Sequence, residues 1–154
     1  MTPARLYLED LVPGQTFESG VRTLDAAQIK AFAGDFDPQF FHLDEEAAKA
    51  SLFGGLAASG WHVASATMSL MVECSPIAGG LIGAGVELAW PRPTRPGDTL
   101  RVVCEVVEVT PSRSRPERGM VLMRCNTFNQ WNEIVQTLSA RMVVPRRPAA
   151  ETEK

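Results

Sequence analysis

Residues 51–72 contain no Asp, Glu, Lys or Arg, although charged residues make up 21% of the chain. A segment of that kind must be surrounded by protein or by lipid on nearly every side. A membrane-spanning helix needs about 20 predominantly apolar residues. This stretch has the length but not the character, because it holds Gly54, Gly55, Ser59, Gly60, His62, Ser65, Thr67 and Ser69. The reading it supports is a helix over about residues 59–73, buried inside one domain and stopped at Ser75-Pro76, with no membrane partner.

The material available to bury that helix is β. Residues 85–90, 99–109, 120–128 and 134–144 alternate apolar and polar side chains. Val86, Leu88 and Trp90 share one face of the first, and Leu100, Val102, Cys104 and Val106 one face of the second. In the last, Ile134, Leu138, Ala140, Met142 and Val144 share a face that Gln136 interrupts. The segment from Asn129 to Glu133 is an Asn-rich turn of hairpin length. Ahead of the helix, residues 7–14 read as a lead-in loop and 16–23 as a strand. Asp25 and Gln28 form a capping-box pair for a helix over 26–32, ended by Gly34 and Pro38. Asp44 caps a short helix over 45–50, and Phe53-Gly54-Gly55 breaks the chain again. Strand, helices, then four strands joined by short turns predict an α+β domain with an antiparallel sheet on one apolar helix. That domain covers residues 1–145. Pro145-Arg146-Arg147-Pro148 stops the last strand, and 146–154 reads as a flexible tail.

Several classes of partner find no support. The net charge of −3 supplies no basic stripe for nucleic acid. Cys74, Cys104 and Cys125 are odd in number and form no C-x-x-C pair, so they read as reduced thiols rather than a metal or redox site. Residues 1–10 lack the basic start and apolar run of a secretory signal, and the expected location is cytoplasmic.

Three segments resemble a known family. Phe36-Asp37-Pro38-Gln39-Phe40-Phe41-His42-Leu43-Asp44-Glu45-Glu46-Ala47-Ala48 resembles the hydratase segment of MaoC-like proteins, which include the R-specific enoyl-CoA hydratases. Their usual segment reads Asp-x-Asn-Pro-x-His-x-Asp before a short helix. Residues 53–62 look like the family's approach to its central helix, and Trp90-Pro91-Arg92-Pro93 with Pro96-Gly97-Asp98-Thr99-Leu100 is similar to a later strand and turn. Together they cover roughly residues 7–145. The resemblance implies a hotdog fold, with an antiparallel sheet wrapped around a central helix. It also implies dimers or dimer-based higher oligomers, an active site at the dimer interface and an acyl-CoA substrate. Here His42 stands four residues after Pro38 instead of two, as in a subset with a longer Asp-Pro-Gln-x-Phe-His form. Asp35 keeps the usual distance to the proline, and Asp37 keeps the usual distance to the histidine. We favour Asp37 with His42, and hold Asp35 as the fallback.

The implied activity is reversible hydration of a 2-enoyl-CoA to a 3-hydroxyacyl-CoA, with no metal or organic cofactor. A carboxylate and an imidazole facing one water can divide the attack on C3 from the delivery of a proton to C2. The charge developing on the thioester oxygen requires donors, and a helix N-terminus offers them. The resemblance places the oxyanion-binding glycine at Gly60. Ser59 is the expected helix cap, and His62 a candidate for the pocket or else a packed core or interface histidine. Arg92 and Arg95 are candidates for the CoA phosphates, against the plainer reading of solvated loop arginines. Two other functions stay open at this level. One is a hotdog thioesterase, disfavoured because the helix carries its only acid, Glu73, at the far end. The other is a non-catalytic acyl-thioester binder.

Overall fold

The computed structural model describes residues 4–150. Residues 1–3, and residues 151–154 of the expected tail, lie outside the described residues.

Strands β1 (Thr16–Glu18), β2 (Arg22–Thr23), β3 (Ile82–Ala89), β4 (Thr99–Pro111), β5 (Arg118–Phe128) and β6 (Ile134–Pro145) form one antiparallel sheet. Its order is β1-β4-β5-β6-β3, with β2 also paired to β4. The last three strands are consecutive hairpins, as their short turns predict. In the second turn Asn129 Oδ1 accepts from the Trp131 and Glu133 amides, and Asn132 adopts φ 58°. In the turn before β4, Pro96 and Gly97 occupy the centre and Asp98 N–H donates to Arg95 O. Gly97 has φ +87°, a conformation that glycine adopts without strain.

Helix α4 (Gly60–Cys74) buries Val63, Ala66, Thr67, Leu70 and Met71. Val63, Ala66, Leu70 and Met71 join Leu100, Val102, Cys104 and Val106 of β4, Val121 and Met123 of β5, and Met142 and Val144 of β6 in one core. A single antiparallel sheet around a central helix is the hotdog arrangement. Among the described residues no helix is long and apolar enough to cross a membrane, and α4 itself has 15 residues. All three cysteines are free thiols. The contact with Cys104 and burial push Cys74 well above the usual thiol range, and the contact with Cys125 and burial do the same to Cys104, so the thiolate, their reactive form, is suppressed.

The structure departs from the sequence expectations at several joints. The expected strand 16–23 is two strands, because the Ser19 hydroxyl takes a ladder position: Val102 N–H donates to Ser19 Oγ. Helix α1 (Ala26–Phe36) runs through Gly34 and ends only at Asp37. A helix over Phe40–Leu43 (α2) was not anticipated, while α3 (Glu45–Ala48) is shorter than expected. Strand β3 does not pair with β4, the next strand in the chain; it crosses to β6 and forms the far edge. The tail is held at its start: Arg147 donates to Asp10 Oδ2 at 2.6 Å and lies over the Tyr7 ring.

Candidate active site

The site begins where α1 stops. Pro38 disfavours helical geometry at the residue before it, so Asp37 leaves the helix with φ −150° and ψ 67°. Its N–H still donates to Ala33 O, which fixes the backbone while the carboxylate turns inward. The chain then re-enters a single helical turn, α2, that carries His42. Ala57 N–H donates to Phe41 O, and His42 Nδ1 lies 2.6 Å from Ala57 O, so α2 and residues 57–58 are clipped together. Phe41 and Phe53 pack beside the imidazole, which is 4% exposed.

These turns bring Asp37 and His42 together, with Asp37 Oδ2 3.2 Å from His42 Nε2. Ser59, fully buried, donates its hydroxyl to the same Oδ2 at 2.7 Å, and Gln39 Nε2 donates to Oδ1 at 2.6 Å. Burial pushes the Asp37 carboxyl up, but the Ser59 and Gln39 hydrogen bonds and the neighbouring His42 outweigh it. The carboxyl is held below its ordinary value of 3.8. Asp35 is exposed on α1, and its side chain makes no hydrogen bond or ion pair among the described residues.

Proton positions follow from the acceptors. A carbonyl cannot donate, so the His42 Nδ1 contact with Ala57 O requires a proton on Nδ1. Nε2 faces the Asp37 carboxylate, 3.2 Å from Oδ2. A carboxylate has about four lone-pair positions. Ser59, Gln39 and His42 occupy three, which leaves one for a reacting water.

Helix α4 points its N-terminus at this pair. Ser59 Oγ accepts from Trp61 N–H, and the His62 and Val63 amides share Ser59 O. The Gly60 N–H makes no hydrogen bond among the described residues, so the first turn retains one unpaired donor. Gly60 and His42 line the same cavity of about 930 Å³, together with Gln39, Trp90, Arg92 and Arg95.

Three expected site residues stand elsewhere or have other partners. His62 does not line this cavity; it stacks on Phe32 of α1, with ring centroids 4.6 Å apart. The physical reason is helical rotation: Gly60 and Val63 share a face, and His62 points off it. Arg95 lies at the cavity, but its guanidinium donates to the carbonyls of Phe53, Gly55 and Leu56 and so braces the loop before α4. Arg92 is more exposed and pairs with Glu133 at 2.9 Å. Glu73, the acid on α4, lies near Gly20 at the opposite end of the helix. Sequence reasoning gave no role to Gln39 or Trp90. Gln39 had a signal within the Asp-to-His spacing, since it stands two residues after Asp37, where the usual segment has Asn. Trp90 had none, because only the tertiary contact with Gly60 gives it a place.

Known proteins share the sequence pattern and the fold. The family model of the MaoC like domain matches residues 10–122. The chain is similar to a MaoC-like dehydratase from Rhodospirillum rubrum of known crystal structure, at 59% identity and a TM-score of 0.91, covering 94% of this chain and 99% of that one. It is 33% identical over 128 residues to an uncharacterized protein of Bacillus subtilis, covering 81% of this chain and 89% of the relative. It is also 28% identical over 148 residues to a 3-hydroxybutyryl-CoA dehydratase of Methylorubrum extorquens, covering 95% of this chain and 88% of the relative. A hotdog fold carrying an Asp37–His42 pair at the N-terminus of its central helix, and a family match over most of its length, establish that the chain belongs to the MaoC-like dehydratase domain family.

Proposed function

We propose that the chain catalyses the reversible hydration of a 2-enoyl-CoA to a 3-hydroxyacyl-CoA. The observation that carries this reading is the Asp37–His42 contact of 3.2 Å, with His42 lining the same cavity as Gly60, whose N–H makes no hydrogen bond among the described residues. In the hydration direction the substrate's carbonyl oxygen accepts from Gly60 N–H, which stabilises the enolate oxygen as charge develops. Water occupies the remaining lone-pair position of Asp37. Its oxygen forms the bond to C3, and its proton passes to Asp37. His42 Nε2 gives its proton to C2. Transfer of the new Asp37 proton to Nε2 restores the starting pair, so one water is added and no external acid or base is consumed. Ser59 and Gln39 hold the carboxylate in position throughout. These residues supply the whole proton inventory, and the reading assigns no metal or organic cofactor.

The same reading takes a homodimer as the working unit. Among the described residues strand β3 ends the sheet with an unpaired edge and exposes Ile82 (56%), while α4 exposes Trp61 and Val72. An apolar edge strand beside an apolar helix face suits pairing with a second copy.

The test is a screen of 2-enoyl-CoAs, following loss of the enoyl thioester's ultraviolet absorbance, with the wild type and His42→Ala. Hydration of at least one substrate, with kcat reduced at least about a hundredfold in the variant, is expected. No turnover of any enoyl-CoA, or unchanged turnover in the variant, overturns the reading.

A further inference from the structure

We propose that Trp90 is a specificity-determining residue, held by Gln136, that closes the site against an apolar groove behind it. The inference rests on the thioester reading above and adds the selection of acyl length.

Gln136 interrupts the apolar face of β6 yet is fully buried. Its amide nitrogen donates to Thr67 Oγ1 at 3.1 Å, and the Thr67 and Thr127 hydroxyls are 2.7 Å apart. Thr67 and Thr127 are likewise fully buried. Polar groups placed in a core cost desolvation unless every one is satisfied. This chain is satisfied, and it reaches beyond the core at one point: Trp90 Nε1–H donates to Gln136 Oε1 at 2.9 Å. The network therefore fixes the orientation of one indole.

That indole lies against Gly60. A Cβ at position 60 would stand 2.7 Å from Trp90 Cε2 and 2.9 Å from Cδ2 and Cζ2. Trp90 lines the cavity that holds His42 and Gly60. Leu88 and Val86, the next residues on its face of β3, line a second cavity of about 460 Å³ with Ala64 and Met68 of α4. Along α4 the lining passes from Gly60 and Val63 to Ala64 and Met68. Along β3 it passes from Trp90 to Leu88 and Val86. The two cavities follow one another along α4 and β3, and Trp90 lines the first, two residues beyond Leu88 of the second. A thioester whose oxygen meets Gly60 N–H directs its acyl chain at Trp90, where the fixed indole limits its length.

The experiment compares kcat/KM for crotonyl-CoA and octenoyl-CoA in the wild type, Trp90→Ala, Trp90→Phe, Gln136→Leu and Trp90→Ala/Gln136→Leu. The wild type is expected to favour the crotonyl substrate. Trp90→Ala shifts the octenoyl-to-crotonyl ratio upward by about tenfold or more, the range that a few methylenes in an apolar pocket control. Gln136→Leu and Trp90→Phe, which retain most of the side-chain volume, shift it the same way by less, through KM rather than kcat. The double variant matches Trp90→Ala, because Gln136 acts through the indole and a purely structural defect would add independently. An unchanged ratio in Trp90→Ala, or an additive double variant, overturns the proposal. Calorimetric Kd values for butyryl-CoA and octanoyl-CoA separate this outcome from failure of the hydratase reading. If no enoyl-CoA turns over but the Kd ratio shifts in Trp90→Ala, the hydratase reading fails and the role of Trp90 stands. If the wild type binds no acyl-CoA, both fall.

Discussion

Replacing Asp37 by Asn separates the chemistry of the proposed pair from its architecture. The carboxylate receives three donors, from Gln39 at 2.6 Å, Ser59 at 2.7 Å and His42 at 3.2 Å. An asparagine can place its carbonyl oxygen toward Ser59 and its amide toward Gln39, which turns to offer its own oxygen. The same oxygen still faces His42 Nε2, so what is lost is the carboxylate's charge in that contact. The Asp37 side chain is 17% exposed and that of His42 5%. A charge-assisted hydrogen bond so placed contributes about 1.5–3 kcal/mol. Stability at neutral pH is therefore expected to fall by no more than about that amount, and the fold to persist. Catalysis suffers far more, because the variant neither accepts the water's proton nor returns one to His42. Loss of a general acid–base partner lowers kcat by about 10²–10⁴, with KM little changed. Asp35→Asn is the matched control: an exposed helix residue without partners, expected to retain kcat within about twofold. Both variants are assayed on the enoyl-CoA that the wild type turns over fastest, with thermal melts to show that they are folded. If folded Asp37→Asn keeps more than about a tenth of wild-type kcat, or if Asp35→Asn loses as much as Asp37→Asn, the assignment of Asp37 as the proton acceptor is wrong.

Ser59→Ala removes both the cap of α4 and a donor to Asp37, at a cost of about 1 kcal/mol from the cap. The Asp37 pKa then rises toward 3.8, so the acidic limb of the kcat/KM–pH profile moves to higher pH. The stability that Asp37 contributes is present above its unfolded-state pKa and lost as pH falls through the lowered folded value, and the variant loses part of it. Arg95→Met leaves the carbonyls of Phe53, Gly55 and Leu56 without their donor and is expected to lower stability by about 2–3 kcal/mol in a denaturant titration. Arg95→Lys recovers little of this, because one ammonium does not match the guanidinium fork. Burial, and secondarily Arg22, holds the His62 pKa below 6.5. The unfolded chain therefore takes up that proton first, and the wild type loses stability as pH falls below about 6.5. A melting-temperature series from about pH 7 to about pH 5 should decline less steeply for His62→Leu, and equal slopes would argue against this origin.

Local signals were legible where one residue type has one physical use. Asp25 and Gln28 form the anticipated capping box, and Ser59 caps α4 within one residue of the expected start. The β4, β5 and β6 alternations translate directly into buried faces. The joints were less legible. Gly34 was expected to stop α1, yet the helix continues to Phe36, because a single glycine costs only about 1 kcal/mol and Pro38 supplies the firmer stop. The one-turn helix under His42 has no periodicity to read, being only four residues long. The partner of β3 is set by the sheet's closure over α4, a long-range contact that no alternation pattern encodes.

The sequence by itself determined the class of fold and narrowed the proposed pair to His42 with Asp37 or Asp35. A charge-free helix beside alternating strands has few ways to be buried, and the spacing from Asp37 to His42 already carried the family's pattern. The tertiary structure decided what each polar side chain is for. It turned Asp37 toward His42 and left Asp35 in solvent. It committed Arg95 to three backbone carbonyls and placed His62 off the cavity's face. It also made Gln136, an interruption of an apolar strand in the sequence, the anchor of Trp90. The reason is that burial follows from local composition and period, whereas a hydrogen-bond partner across the core is fixed only when distant segments meet.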